Sequence, residues 1–232
     1  MNRRAQAVVL LLLGGAVLKA SLTDLYLRYV KEGLRPFLIA AGVVLVATAV
    51  ATLIYELRPR NDDHGHDHEP WVGWLLILPV LGLLLVAPPA LGSFTAGQSG
   101  TVPVSASDSE FPPLPAGDPV PIGLLDYAVR ALYDDGRSLA GRQVQLTGFV
   151  ATGEDGAPML ARIVMSCCAA DGRPIKVGLT GGPLIDVPAG SWVQVTGRHS
   201  TRRGTDPVND ADIAYLEVVQ WQPAAEPKRP YE

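Results

Sequence analysis

The two cysteines of the chain are adjacent, and their thiols could form a ligand site. Cys167 and Cys168 are the only cysteines among the 232 residues. They follow an apolar strand pattern that runs into a turn at Asp171-Gly172. Because neighbouring residues of a strand point to opposite faces, both thiols reach one site only if the strand ends or bulges there. A thiolate site and a pair of small buried side chains are both consistent with this pattern.

The adjacency of the cysteines argues against a disulfide between them. Consecutive Cα atoms lie about 3.8 Å apart, whereas disulfides usually need roughly 4.4 Å or more. A redox site would also favour Cys-x-x-Cys spacing and a lowered thiol pKa, often at a helix N-terminus. The sequence shows neither feature, so thiol-disulfide chemistry remains a secondary hypothesis.

A second group of metal-binding side chains lies in residues 61–69. His64, His66 and His68 stand there among four carboxylates and are three of the four histidines of the chain. Imidazole and carboxylate together suit zinc and similar divalent ions. The sequence around the histidines predicts no rigid frame, so it indicates a modest-affinity collector or sensor, or else a solvated turn between two helices.

The first 92 residues read as a membrane region. Hydrophobic residues make up 48% of the chain, and its mean hydropathy is +0.21. Apolar runs predict three transmembrane helices at about 6–29, 36–55 and 71–91, each long enough for a hydrocarbon core of about 30 Å. Small residues such as Gly42 and Ala49 favour close helix packing. Lys and Arg are slightly more numerous on the side of the spans that carries the N-terminus, which favours a cytoplasmic N-terminus. Three spans would then place the C-terminal domain outside the cytoplasm.

The rest of the chain reads as a linker, one small domain and a tail. Residues 93–121 are rich in Pro, Gly and Ser and predict a linker. Residues 122–222 predict a helix at 122–133 and then five short strands with period two, which indicates an OB-like barrel with one preceding helix. The predicted strands are 142–150, 159–168, 174–180, 192–199 and 213–221. Residues 223–232 are left as a tail.

Composition argues against two broad function classes. The C-terminal part carries slightly more carboxylates than cations, so it offers no broad basic surface for nucleic acid. Its strand aromatics have the spacing of core residues; they are Phe149, Trp192, Tyr215 and Trp221. The chain also shows no catalytic triad, phosphate loop or HExxH motif, so we expect neither a nucleic-acid-binding protein nor an enzyme.

Several segments together resemble the YcgQ family of bacterial membrane proteins. They are three N-terminal spans, the Pro-Pro-Ala-Leu-Gly-Ser exit at 88–93, the segment Arg-Ile-Val-Met-Ser-Cys-Cys-Ala-Ala-Asp at 162–171, the Trp-Val-x-Val-x-Gly strand and the Pro-Tyr-Glu tail. The resemblance covers nearly the whole chain, and its Cys-Cys-x-Ala-Asp segment is the most specific part. It implies a companion of a YcgR-type predicted permease, and hence a two-component membrane system for a metal or another small solute.

The leading hypothesis is a non-enzymatic accessory subunit of such a permease. In it, Cys167, Cys168 and Asp171 bind a metal ion or a related solute, and thiolate softness favours zinc or Cu(I) over magnesium or calcium. His199, at the end of a predicted strand, is a possible further ligand. The alternatives are a thiol-redox membrane protein and a structural docking module whose cysteines fill the core.

Overall fold

The computed structural model describes residues 3–57, 81–82, 90–104, 111–153 and 156–232. The chain divides into two compact units, 1–89 and 90–232. Most of the third predicted span and the whole histidine-rich loop at 61–69 lie outside the described residues.

The first unit contains a pair of apolar helices, α1 (Arg3–Leu22) and α2 (Arg35–Leu57). Both are long and apolar enough to cross a membrane, a criterion that signal sequences also meet. The predicted helix at 6–29 is too long, because α1 ends at Leu22. Thr23 then accepts a hydrogen bond from the Leu25 amide and begins a short 3-10 helix, Asp24–Arg28.

Two glycines set the distance between α1 and α2. A Cβ on Gly14 would lie 2.8 Å from a methyl carbon of Val46 and 3.1 Å from the Gly42 carbonyl oxygen. A Cβ on Gly42 would lie 2.8 Å from the Leu18 side chain. Ala49 is also fully buried. The expected close packing through small residues is therefore present, and a larger side chain at Gly42 would have to separate the helices.

The second unit contains the β-domain. Its elements in chain order are α3 (Ser93–Gln98), β1 (Val120–Pro121), α4 (Leu124–Tyr133), β2 (Val144–Thr152), β3 (Pro158–Val164), β4 (Arg173–Thr180), β5 (Trp192–Thr205) and β6 (Asp212–Pro223). Strand β1 pairs in parallel with β2, outside the barrel proper. Helix α4 is amphipathic, and its apolar face, including Leu124 and Tyr127, joins the main core.

Strands β2 to β6 close into a barrel, which confirms the predicted five-stranded barrel with preceding helical structure. The strand order is β2-β3-β4-β6-β5, and β5 pairs back with β2. All pairs are antiparallel except β4 with β6, which run in parallel. A large apolar cluster fills the interior, and Leu146, Leu160 and Leu216 in it are completely buried.

The first part of the predicted linker, 93–121, packs against the barrel. Ala96 on α3 is buried in a second apolar cluster with Phe149 and Ile163 of the barrel strands. Thr101 is completely buried: its amide donates to Asp206 and its hydroxyl accepts from the Lys176 amide. These contacts involve the main chain and single side chains. They produce no periodic apolar pattern in the sequence, so the packing of this segment could not be predicted from it.

The end of the predicted tail, 223–232, is held against β3. Tyr231 forms a parallel bridge with Ile163 of β3, and the Glu232 amide donates to the Ile163 carbonyl at 2.9 Å. The Tyr231 hydroxyl also accepts a hydrogen bond from the Leu91 amide. Residues 90–98 and 231–232 thus cover the outer side of β2 and β3, and this explains why both faces of those strands are largely buried.

Candidate metal centre

The cysteine pair lies in a loop that begins where β3 ends. The predicted strand 159–168 is too long, since β3 stops at Val164. Met165 remains buried, and a 3-10 helix at Ala169–Asp171 follows the cysteines. The strand end therefore removes the geometric objection raised by adjacent strand residues, because the two thiols no longer point to opposite faces of a sheet.

The carboxylate of Asp171 organises this loop. One of its oxygens, Oδ1, accepts the Ser166 amide at 2.9 Å. The other, Oδ2, accepts the Cys167 amide at 2.8 Å and the Cys168 amide at 3.4 Å. The Cys167 thiol donates to the same Oδ2, with Sγ 2.9 Å from it. The carboxylate thus takes the place of the ladder partners that a continuing strand would have had.

Both thiols and the carboxylate converge. The two Sγ atoms and one carboxylate oxygen all lie within 4.8 Å of one another, so they could hold a metal ion. Both cysteines are free; Cys167 is exposed and Cys168 is half-buried. The alternative in which both cysteines fill the core is wrong for Cys167, because its side chain faces solvent.

The hydrogen bond between Cys167 and Asp171 shifts both acidities. It raises the pKa of the Cys167 thiol to about 11, with a smaller contribution from Cys168. It also lowers the pKa of the Asp171 carboxyl to about 2, together with the amide donors of the loop. At neutral pH the Cys167 proton is therefore held between a sulfur and a carboxylate oxygen. A cation that binds both atoms takes the position of that proton.

The end of the chain braces the loop. The Met165 amide, immediately before the loop, donates to the main-chain oxygen of Glu232 at 2.9 Å. The Glu232 carboxylate accepts the Leu124 and Leu125 amides at the start of α4, each at 2.9 Å. It also pairs with the largely buried Arg162 at 3.3 Å. The loop is thereby tied both to the barrel and to the helix that packs on it.

The other predicted ligands do not join this group. His199 lies on β5 opposite Leu216, and its ring packs against Gly136. Burial lowers the pKa of His199, as expected for a packed imidazole. The structure gives it no place among the converging ligand atoms, in the part of the chain described. His64, His66 and His68 fall outside the described residues, so their site remains a prediction.

Sequence reasoning missed the residues that position the loop. Nothing in the local pattern assigns Glu232 or Arg162 a role, because their partners lie about 70 residues away along the chain. The one signal for Glu232 was the Pro-Tyr-Glu tail, which is among the segments that resemble the YcgQ family. Asp171 was singled out as a ligand, but its hydrogen bonds to three loop amides were not foreseen.

The family comparison points to the same part of the chain. Residues 126–232 match the family model described as the DUF1980 C-terminal domain. The match spans most of α4, the whole barrel, the cysteine loop and the bracing residues. The description of this family names no activity. No curated protein and no solved structure matches the chain.

Proposed function

We propose that this chain, in which residues 126–232 match the DUF1980 C-terminal domain, is a membrane-anchored metal-binding accessory protein. The observation that carries the proposal is the convergence of Cys167, Cys168 and Asp171 within 4.8 Å on a solvent-facing loop. Helices α1 and α2 supply the anchor. The protein binds an ion and performs no reaction on it.

The ligand set selects the class of ion. Two thiolates favour zinc or another soft or borderline ion such as Cu(I), whereas magnesium and calcium prefer oxygen ligands alone. The carboxylate of Asp171 is an ordinary third zinc ligand. Its hydrogen bonds from the loop amides hold it in place, as supporting interactions do for metal-bound carboxylates in general.

The number of ligands suggests transient binding. Structural zinc sites are closed by four protein ligands, whereas three protein ligands leave a position for water or another group. Here Cys167 is exposed, so a ligand from a partner protein has access to the fourth position. An ion held in this way can be passed on, as an accessory subunit of a transport system requires.

Thiol-redox chemistry is less well supported. A reactive cysteine needs a lowered pKa so that the thiolate is present at neutral pH. The hydrogen bond to Asp171 has the opposite effect and raises the pKa of Cys167 to about 11. Adjacent cysteines also close a disulfide only with difficulty. The acidity of Cys167 thus favours a ligand role over a nucleophilic one.

The partner and the membrane arrangement complete the proposal. The resemblance to the YcgQ family supports a YcgR-type permease as the partner and three transmembrane spans. The distribution of Lys and Arg around those spans supports a β-domain outside the cytoplasm. The strand order supports an OB-type barrel, since such folds are five-stranded Greek-key barrels. The loop at 61–69 would act as a second, weaker collector for the same ion.

Zinc titration of the full chain tests the metal site. In detergent micelles, with thiols reduced and a chromophoric chelator as competitor, we expect the cysteine loop to bind one Zn²⁺ per chain, more tightly than the histidine-rich loop does. Cys167→Ser or Cys168→Ser should weaken this binding on the order of 100-fold or more, because each removes a direct ligand. Bound Co²⁺ should show thiolate charge-transfer absorption, which the Cys167→Ser/Cys168→Ser chain should lack.

Two further variants make the zinc result specific. Ser166→Ala changes an exposed neighbour whose amide, not its hydroxyl, contacts Asp171, so it should leave zinc affinity unchanged. A His64→Ala/His66→Ala/His68→Ala chain removes binding by the histidine-rich loop and should keep the tight site. If zinc affinity survives both serine substitutions in that background, the metal proposal is wrong.

Co-purification tests the partner. A YcgR-type permease, coexpressed with a tagged copy of this chain, should be retained on the affinity resin in detergent. The Cys167→Ser/Cys168→Ser chain should retain as much permease, because the ligands serve the ion and not the docking. Absence of the permease from the native eluate would contradict the accessory role and leave the metal site standing.

A further inference from the structure

A second candidate site lies on the barrel, away from the cysteine loop. It is a cavity of about 410 Å³, which falls in the usual range for small-ligand pockets. Its walls come from strands β3, β4, β5 and β6, from Gly153 and Ala157 beside β2 and β3, and from the loop after β5, while Ala96 and Gly97 of α3 close one side. We propose that this cavity binds a small soluble oxyanion, a carboxylate or phosphate compound, through Arg202 and Lys176.

The first cation in the cavity is fixed by a buried ion pair. Lys176 has a side chain only 9% exposed, and its Nζ lies 2.9 Å from the Asp206 carboxylate, which is completely buried. The same carboxylate accepts the Thr101 and Val208 amides. An ammonium group has three donors, and one of them serves Asp206. The lysine is therefore anchored in the wall with donor capacity left for a ligand.

The second cation is fixed by an aromatic ring. The guanidinium carbon of Arg202 lies 4.4 Å from the centre of the Tyr215 ring. The ring lies across the barrel surface because the strands beside it carry glycine: a Cβ on Gly204 would be 2.9 Å from the ring, and one on Gly178 would collide with it. A guanidinium stacked in this way keeps its N–H edges free for bidentate binding of a carboxylate or phosphate.

The shape of the cavity indicates a small ligand. In OB-type barrels, ligands bind on the face of the second and third strands, between the loops that follow the first and fourth strands. The cavity occupies the corresponding position here. Helix α3 covers one side of it, however, so an extended polymer has no open groove to follow. The cavity has two positively charged side chains, Lys176 and Arg202, and one carboxylate, Asp206, which is already paired. This charge balance favours a small anion.

Calorimetric titration with citrate and with inorganic phosphate tests this proposal. The full chain in detergent, free of metal, should bind at least one of the two probes. Arg202→Gln should weaken that binding by at least about tenfold, because it removes a charge-assisted bidentate contact. Arg202→Lys should fall in between, since it keeps the charge and loses the stacked fork.

The matched control is Arg198→Gln, which removes an exposed arginine from the same strand but outside the cavity. It should leave the affinity within about twofold, as expected for a distant surface charge. Equal losses of affinity in Arg202→Gln and Arg198→Gln would show non-specific attraction and overturn the proposal. A native chain that binds neither probe at concentrations of about 10 mM would also overturn it. The Cys167→Ser/Cys168→Ser chain should bind the anion unchanged, so failure here is independent of the metal site.

Discussion

Asp206→Asn is expected to lower the free energy of unfolding of the β-domain by about 3–5 kcal/mol, because it leaves a buried lysine without its counter-charge. Asp206 is completely buried and pairs with Lys176 at 2.9 Å. It also accepts the Thr101 amide, which ties residues 90–104 to the barrel. Urea unfolding of the full chain in detergent, followed through the midpoint shift, measures the loss.

A double-mutant cycle separates this ion pair from its surroundings. Lys176→Met alone should also destabilise, since it leaves the Asp206 carboxylate buried and unpaired. The double variant Lys176→Met/Asp206→Asn should lose clearly less than the sum of the two single losses, because neither partner then remains charged. Asp210→Asn, an exposed change in the same loop at a positive φ of 57°, serves as the control. It should alter stability by less than about 0.5 kcal/mol.

The ion pair also predicts a direction with pH. Burial alone would raise the pKa of Asp206, but hydrogen bonds from Lys176, Val208 and Thr101 outweigh burial and hold that pKa below its ordinary value. The stability that Asp206 contributes is therefore present above the ordinary carboxyl pKa. It is lost as the pH falls through the lowered value of the folded protein. The Asp206→Asn chain should lack this acid-dependent loss; an unchanged acid profile would contradict the assignment.

Zinc affinity at the cysteine loop is expected to rise about 100-fold between pH 6 and pH 8 for each thiol proton that the ion displaces. Cys167 supplies one such proton throughout this range, because its pKa is raised to about 11 by the hydrogen bond to Asp171. Asp171 supplies none, since its pKa is lowered to about 2. Competition with a chelator of known proton dependence measures the slope.

The pH profile also distinguishes the two proposed metal sites. Binding by His64, His66 and His68 would become nearly independent of pH above about 7, because free imidazole has a pKa near 6.5. Binding by Cys167 should continue to strengthen above pH 8. Zinc affinity that levels off near neutral pH in the native chain, and is lost in the triple histidine variant, would place the tighter site on the histidine-rich loop and contradict the proposal for Cys167.

The sequence predicted those parts of the β-domain whose signal is local. Alternating apolar residues and turn glycines located five strands, and the barrel followed from their number and length. The run of β5 to Thr205 was missed, because its second half is polar and depends on pairing such as that of Arg203 with Ala214. The same limit applies to Thr101, whose burial rests on contacts with distant residues.

The candidate metal site was predictable in its residues and not in its geometry. Residue chemistry alone selected Cys167, Cys168 and Asp171. Whether their side chains converge depended on where β3 ends, and that end is set by hydrogen bonds from the loop amides to Asp171 and from Met165 to Glu232. Such partners supply no periodic pattern, so a strand was predicted four residues too far.

The bond between Met165 and Glu232 also dictates when the cysteine loop can assemble. A ribosome releases a chain from its N-terminus onward, and domains fold as their segments emerge. Cys167 and Cys168 therefore leave the exit tunnel well before Glu232, and the nascent loop lacks its brace during that interval. In the proposed metal site, the ion would therefore meet the braced loop only after residue 232 has left the exit tunnel, and an unbraced loop before that.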